Sequence, residues 1–203
     1  MQLLLIRHAE PVKLLEADGP ADPPLHDRGH EQSNRLAAWL AAEPLHGVVS
    51  SPMQRARQTA APVAAAHGLE IVVDTELAEF DREASEYVPY EELKSTQDPR
   101  FVAMALDRLA DLAVDPVTFQ AGVVAAMERV IVANPGRTIA VVCHGGVINA
   151  YTARVAGTSR LLWFETAYTS ISRVAASRGG HRSVMTLNET PHLRGTGLLP
   201  AGR

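Results

Sequence analysis

The sequence predicts an α/β layer fold on a mixed, mostly parallel sheet, and three observations carry that expectation. The opening run Leu3-Leu4-Leu5-Ile6 is continuously apolar rather than alternating, as in a strand covered on both faces. Strand-like and helix-like segments alternate through most of the 203 residues, and parallel pairing needs such crossovers. Near the end, Ser170–Ala176 and Ser183–Leu187 flank Arg178-Gly179-Gly180, a hairpin signal that adds at least one antiparallel strand.

The elements follow in order. After the first strand comes Arg7-His8-Ala9-Glu10, then a loop rich in Pro, Asp and Gly from Pro11 to Leu25. Asp27 reads as a helix N-cap with Glu31 in the first turn; Leu36, Trp39 and Leu40 form the apolar stripe, and the helix closes near Glu43. A short strand, Gly47–Ser50, leads to Ser51-Pro52, which reads as N-cap and first helical position. That helix carries Arg55, Arg57 and Thr59, meets Pro62 and stops at Gly68, and Leu69–Val73 reads as a further strand. The stretch from Glu76 to Val117 breaks the rhythm with Pro89, Pro99 and Pro116, acidic residues from Glu79 to Glu92 and a helical pattern near Phe101–Leu112, and reads as a lid insertion over 76–117. A helix from about Phe119 to Ala133 is predicted to bury Val123, Val124, Met127, Val130 and Ile131. The strand Thr138–Cys143 then runs into His144-Gly145-Gly146 and a helix that stops at Gly157. Residues 194–203 show little apolar periodicity and are expected to be loose.

Composition narrows the functional classes. At 203 residues the chain suits one domain, 1–203. Nineteen Lys plus Arg against 23 Asp plus Glu give a net charge of −4, which offers no electrostatic footprint for nucleic acid or an anionic membrane. The single cysteine, Cys143, cannot form an internal disulfide. Arg7 comes too early for a signal peptide's apolar region, and no run approaches the roughly 20 apolar residues of a membrane span. The expected setting is cytoplasmic.

Ligands of open α/β sheets sit beyond the carboxyl ends of the strands. Three predicted strands end there in polar groups: Arg7-His8, Ser50-Ser51 with Arg55 one turn into the next helix, and His144-Gly145-Gly146. The arginine fork suits a phosphate dianion, and neutral imidazole is a good nucleophile for phosphorus. Helix N-termini after Ser51 and Gly145 add backbone N–H donors. These residues imply an anion site that contains a histidine. They do not choose the reaction.

The order of these blocks resembles the histidine phosphatase (phosphoglycerate-mutase-like) superfamily. The matching stretches are Leu3–Glu10, Leu25–Gln32, Ser50–Ala60, Leu77-Ala78-Glu79 and Val141–Gly146. The resemblance covers Gln2 to about Leu193 and implies a three-layer α/β/α fold with a helical lid insertion. It implies that His8 is the nucleophile and that Arg7, Arg55, His144 and Gly145 bind the phosphate. Glu79 matches the family's proton donor, with Glu76, Asp81 and Glu83 as nearby rivals. Chemistry of this kind needs no metal and no cofactor, because two arginines and an imidazolium supply the positive charge. The implied function is a metal-independent phosphatase of the histidine acid phosphatase type, acting on small phosphorylated substrates through phosphohistidine. The alternative is a phosphoglycerate mutase, but Pro11 and Leu14 stand where mutases carry Ser and a substrate-contacting Asn. Dimers occur in the family, and a homodimer is compatible with this sequence.

Other readings lack a required residue. An α/β-hydrolase needs a Gly-x-Ser-x-Gly elbow, which is absent from the sequence. A cysteine phosphatase needs an arginine six positions after Cys143, where Asn149 stands, so Cys143 reads as a small core residue. His26 and His30 are four apart, but Gly29 intervenes and no third ligand is evident. A non-catalytic phosphate-binding module would be favoured by a missing site residue, and every expected position is filled. Arg57 reads as a surface side chain, and Gly145 and Gly146 as a tight strand-to-helix turn.

Overall fold

The computed structural model describes residues 1–199. Six strands form one sheet: β1 (Gln2–Arg7), β2 (Gly47–Ser50), β3 (Ile71–Val73), β4 (Thr138–Cys143), β5 (Ile171–Ala176) and β6 (Arg182–Glu189). Their order is β3-β2-β4-β1-β5-β6. The first four pair in parallel, and β5 and β6 add the antiparallel edge that the glycine turn predicted.

Alternation of side chains explains the uninterrupted apolar run of β1. Leu4 and Ile6 point to the face covered by α1 (Asp27–Leu40) and α2 (Gln54–His67), where they meet Leu36, Leu40, Ala60 and Val63. Leu3 and Leu5 point to the opposite face, against α5 (Pro116–Ala133) and α6 (Gly145–Ala156), where they meet Val123, Met127, Ile148 and Tyr151. The fold is thus three layers, α/β/α, with a core on each side of the sheet.

Between β3 and α5 lie α3 (Tyr90–Thr96) and α4 (Pro99–Ala105) with short 3₁₀ turns. The helical pattern near Phe101–Leu112 is broken: α4 stops at Ala105, Asp107 takes φ +57°, and a 3₁₀ turn spans Leu109–Leu112. The break has a function in packing, because the Asp107 carboxylate accepts from the N–H groups of Leu161 and Leu162 at 2.9 and 2.7 Å. The insertion is pinned to the Pro11–Leu25 loop. Leu14 and Tyr87 exchange two backbone hydrogen bonds, and Ala21 N–H donates to Ala84.

Several terminal details differ from the sequence expectation. His26, not Asp27, caps α1, its Nδ1 accepting from Arg28 N–H at 3.2 Å. Trp39 is about half exposed rather than part of the core stripe. Ser51-Pro52 precede α2 without forming its first turn; the carboxylate of Asp22, from the preceding loop, accepts the Gln54 N–H instead. The helix expected from about Phe119 starts at Pro116, three residues early, under an Asp115 cap. With a mean hydropathy of 1.3 over 18 residues, α5 is long and apolar enough to cross a membrane by length and composition. In this fold its buried stripe packs against the sheet, and its Glu128 pairs with Arg182. Up to residue 199 the tail is docked rather than loose: the Gln32 amide donates to Leu198 O at 2.9 Å, and Leu198 is buried. Residues 200–203 of the expected loose tail lie outside the described residues.

Candidate active site

The central strands β1 and β4 run side by side, so their carboxyl ends deliver His8 and His144 to one place, with ring centroids 5.1 Å apart. Both imidazoles are buried. Nδ1 of His8 lies 2.7 Å from the carbonyl of Ala9. A carbonyl only accepts, so Nδ1 carries the proton and Nε2 keeps its lone pair. Ala9 is itself held by its N–H donating to Thr59 Oγ1 at 2.9 Å, and that hydroxyl donates to Arg55 O. The arrangement thereby ties the nucleophile candidate to the first turns of α2.

His144 Nε2 lies 2.7 Å from Ser51 Oγ. This contact is the role of Ser51 that the helix-start reading missed, since β2 pairs with β4 and its end falls beside His144. Burial, reinforced by Arg55 and Arg7, holds the His8 imidazole well below its ordinary pKa. Burial and the same two arginines, together with His8, lower His144 as well. Both rings are therefore neutral at pH 7. The positive charge of the unliganded site comes from the guanidiniums.

Arg7 extends from the end of β1, donating to Thr166 O at 2.8 Å and to Glu91 Oε1 at 3.1 Å, with its guanidinium 4.0 Å from the centre of the Tyr168 ring. Arg55 is about 1% exposed, lies 4.7 Å from the centre of the Tyr87 ring and donates to Asp81 at 3.3 Å. Its Nε and one terminal nitrogen, like Nδ1 of His144, are buried without a hydrogen-bond partner among the described residues, the terminal nitrogen lying 4.0 Å from Asp22 Oδ1. Leaving a buried donor unmet costs about 1–3 kcal/mol, so such a cluster marks a place where a ligand completes the bonding. An oxyanion fits the two orphaned guanidinium donors.

Glu79 separates from its rivals. Its carboxylate accepts from Gly146 N–H at 2.7 Å, at the start of α6, and from Phe80 N–H at 3.1 Å. Burial, with the charge of Asp81 beside it, pushes its pKa up to about 7. Asp81 is committed to Arg55, Glu83 is exposed beside Arg82, and Glu76 is exposed at α5. Gly146 is there for space rather than for backbone freedom, since its φ is not positive: a Cβ would fall 2.3 Å from Glu79 Oε1. At Gly145 a Cβ would fall 2.9 Å from Thr166 Oγ1. His8, Arg7, Arg55, Glu79, Gly145 and Gly146 all line one cavity of 890 Å³.

Arg57 and Cys143 lie where the sequence placed them. Arg57 is exposed and Cys143 lies in the core, where burial raises its thiol pKa. His26 and His30 are exposed, and no cluster of three His, Cys, Asp or Glu side chains with metal-binding geometry occurs among the described residues. Sequence reasoning did not find Tyr87, Tyr168, Glu91 or Thr166. They lie 32 to 161 positions from the arginines they touch, and only the folded chain brings them near.

Two imidazoles and two guanidiniums buried at the carboxyl ends of the parallel strands define this as a phosphoryl-binding α/β protein. A family model described as "Histidine phosphatase superfamily (branch 1)" matches residues 3–190. The chain belongs to that superfamily. It is 27% identical to phosphoglycerate mutase-like protein 4 of Arabidopsis thaliana, over 99% of this chain and 90% of that protein. It is 31% identical to a bifunctional protein of Mycobacterium tuberculosis, over 95% of this chain but only 55% of that longer protein. The fold matches the crystal structure of phosphoserine phosphatase from Entamoeba histolytica with a TM-score of 0.74 at 21% identity, covering 95% of this chain and 98% of that one.

Proposed function

We propose that this chain hydrolyses phosphomonoesters through a covalent intermediate on His8, without a metal. The observation that carries the proposal is the tautomer of His8: its Nδ1–H is donated to Ala9 O, so the Nε2 lone pair is available beside the orphaned donors of Arg55. In the first step Nε2 attacks phosphorus and the bond from phosphorus to the ester oxygen breaks. Glu79, protonated near neutrality, gives its proton to the departing oxygen, and the alcohol leaves. The phosphoryl oxygens rest on Arg7, Arg55, His144 and the N–H groups that open α6. In the second step water attacks phosphorus and the P–N bond breaks. Glu79, now a carboxylate, takes the water's proton, and inorganic phosphate and free His8 are regenerated.

Hydrolysis fits this site better than the mutase alternative. Leu14, at the position where mutases hold a substrate-contacting Asn, is drawn into a backbone bridge with Tyr87. A Glu79 carboxyl that titrates near 7 suits the acid side of neutrality, in keeping with a histidine acid phosphatase. The test is turnover of p-nitrophenyl phosphate in excess chelator by the wild type and by His8→Ala, with acid-labile phosphate on the protein measured after rapid quenching. Turnover and labelling that both vanish in the variant support the proposal. Equal turnover in both proteins refutes it.

A further inference from the structure

Beyond the phosphate pocket, the cavity has a lining that the reaction itself does not require. The chain has ten aromatic side chains, four Phe, four Tyr and two Trp, and five of them line this one cavity: Phe80, Tyr87, Tyr90, Trp163 and Phe164. Met104, Leu112 and Leu162 extend the apolar wall. A volume of 890 Å³ is several times what a phosphoryl group fills and lies toward the upper end for pockets that enclose whole organic ligands. Trp163 and Phe164 meet edge to face at 5.1 Å, and both are fixed from behind, their backbone N–H groups donating to Asn149 Oδ1. Tyr90 meets Phe101 in the same way at 5.6 Å. The aromatic wall is formed by contacts within the protein itself.

Charge points the same way. Outside the phosphate pocket the lining carboxylates are Glu83, Glu86 and Glu165, and the lining cations are Arg100 and Arg160. Arg100 is committed twice, to Asp98 at 2.9 Å and to Glu86. Arg160 is exposed and donates to Ala105 O. Lys94, on α3, is held by Glu165 at 2.7 and 2.8 Å. A second anionic group on the substrate, such as the carboxylate of a phosphoglycerate, would meet a lining in which three carboxylates outnumber two cations and Arg100 is already taken.

We infer that the preferred substrate is a phosphomonoester of a bulky, ring-bearing apolar alcohol that carries no second anionic group. This inference rests on the phosphatase reading and adds the leaving-group class to it. The ring lies against the aromatic wall while the phosphoryl group sits on the arginines. A ring buried there contributes to every step up to phosphoryl transfer, and so appears in kcat/KM.

The test uses the full-length protein and three alkyl monoesters whose leaving alcohols are chemically alike: propyl phosphate, 2-phenylethyl phosphate and 3-phosphoglycerate. Phosphate release is expected to give 2-phenylethyl phosphate a kcat/KM about 30-fold above propyl phosphate, the scale set by burying a phenyl ring. 3-Phosphoglycerate should fall below propyl phosphate. In Trp163→Ala the ratio of 2-phenylethyl to propyl phosphate should fall by about tenfold. If that variant does not fold, the wild-type series alone decides. A wild-type ratio near one, or 3-phosphoglycerate as the best of the three, would overturn the leaving-group assignment while leaving phosphatase activity intact. No phosphate release from any of them or from p-nitrophenyl phosphate would overturn both readings.

Discussion

The contact between Gly146 and Glu79 allows the proton-donor assignment to be tested without removing the acid. In Gly146→Ala the new Cβ would lie 2.3 Å from Glu79 Oε1 and 2.7–2.8 Å from the Phe80 ring, well inside the 3.0 Å that real Cβ atoms observe. The carboxyl must retreat by about 0.7 Å and strain its 2.7 Å bond from the Gly146 N–H. A displacement of about 1 Å in a reacting group can cost about 100-fold in rate, so a loss of about 30- to 100-fold is expected where proton donation matters. It matters for an alkyl leaving group and hardly at all for p-nitrophenolate, which leaves as a stable anion. The assay is kcat/KM, which reports steps through phosphoryl transfer and excludes the later hydrolysis. We expect the alkyl ester to lose about 30-fold or more and p-nitrophenyl phosphate about threefold or less. The helix propensity gained, up to about 1 kcal/mol, offsets part of the about 1–3 kcal/mol that such overpacking costs, so the thermal midpoint should fall without collapsing. Equal losses on the two substrates, or no loss on either, would refute Glu79 as the donor.

Four further outcomes follow from the same geometry. For an alkyl ester, kcat/KM should fall above about pH 7 as Glu79 ionises, and Glu79→Gln should remove that limb; a rate still rising in strong alkali would contradict the assignment. Because the folded state raises the Glu79 pKa from 4.5 to about 7, its stabilising protonation is complete below about pH 4.5 and lost through pH 7, so by pH 8 the ionised acid costs up to about 3 kcal/mol. Denaturant titrations should therefore find Glu79→Gln more stable than wild type at pH 8 and level with it near pH 4, and a pH-independent difference would count against this. Burial pushes the Glu91 carboxyl up, but Arg7 outweighs it and holds the group ionised, so Glu91 competes with the phosphate for that arginine. Glu91→Gln should tighten inhibition by inorganic phosphate about fivefold, on the scale of about 1 kcal/mol, and unchanged or weaker inhibition would show that Glu91 only orients Arg7. Ser51→Ala leaves His144 Nε2 without its partner and should lower kcat about tenfold, with unchanged turnover showing that the contact is dispensable.

What could be read from the chain depended on how local the determining forces are. The apolar run Leu3–Ile6 and the turn at Gly179-Gly180 are local signals, and both the central strand and the antiparallel edge lie where they predict. His8, Arg7, Arg55 and His144 were legible because each sits at or just beyond a strand end, and the sheet order does the gathering. Caps were less legible. Asp27 and Ser51 have the side chains of N-caps, but His26 takes the first role, while the second helix receives Asp22 from across a loop. The insertion was opaque for a related reason. Its fold depends on contacts such as Asp107 to Leu161 and Leu162, and on the pairing of Tyr87 with Leu14, which no periodicity announces.

The neutrality of His8 is what the sequence led us to expect of a nucleophile beside two arginines, and the neutrality of His144 alongside it gives the site a direction. Two guanidiniums and two imidazoles buried together would repel if all were charged, and the fold resolves this by holding the imidazoles deprotonated. A bound phosphoryl dianion reverses the local field. It offsets the arginines and, with them, the main electrostatic reason for keeping His144 neutral. His144 can therefore gain a proton when substrate binds, while His8, bonded through Nδ1 to Ala9 O, presents Nε2 to phosphorus. The same field that keeps the nucleophile available in the free protein is thus spent on the substrate's oxygens in the complex. Glu79 lies on the other side of this division: burial and Asp81 keep it protonated, and the N–H of Gly146 aims it. One arrangement of charge therefore holds the base deprotonated and the acid protonated at the same pH, which is the condition that attack and leaving-group protonation jointly require.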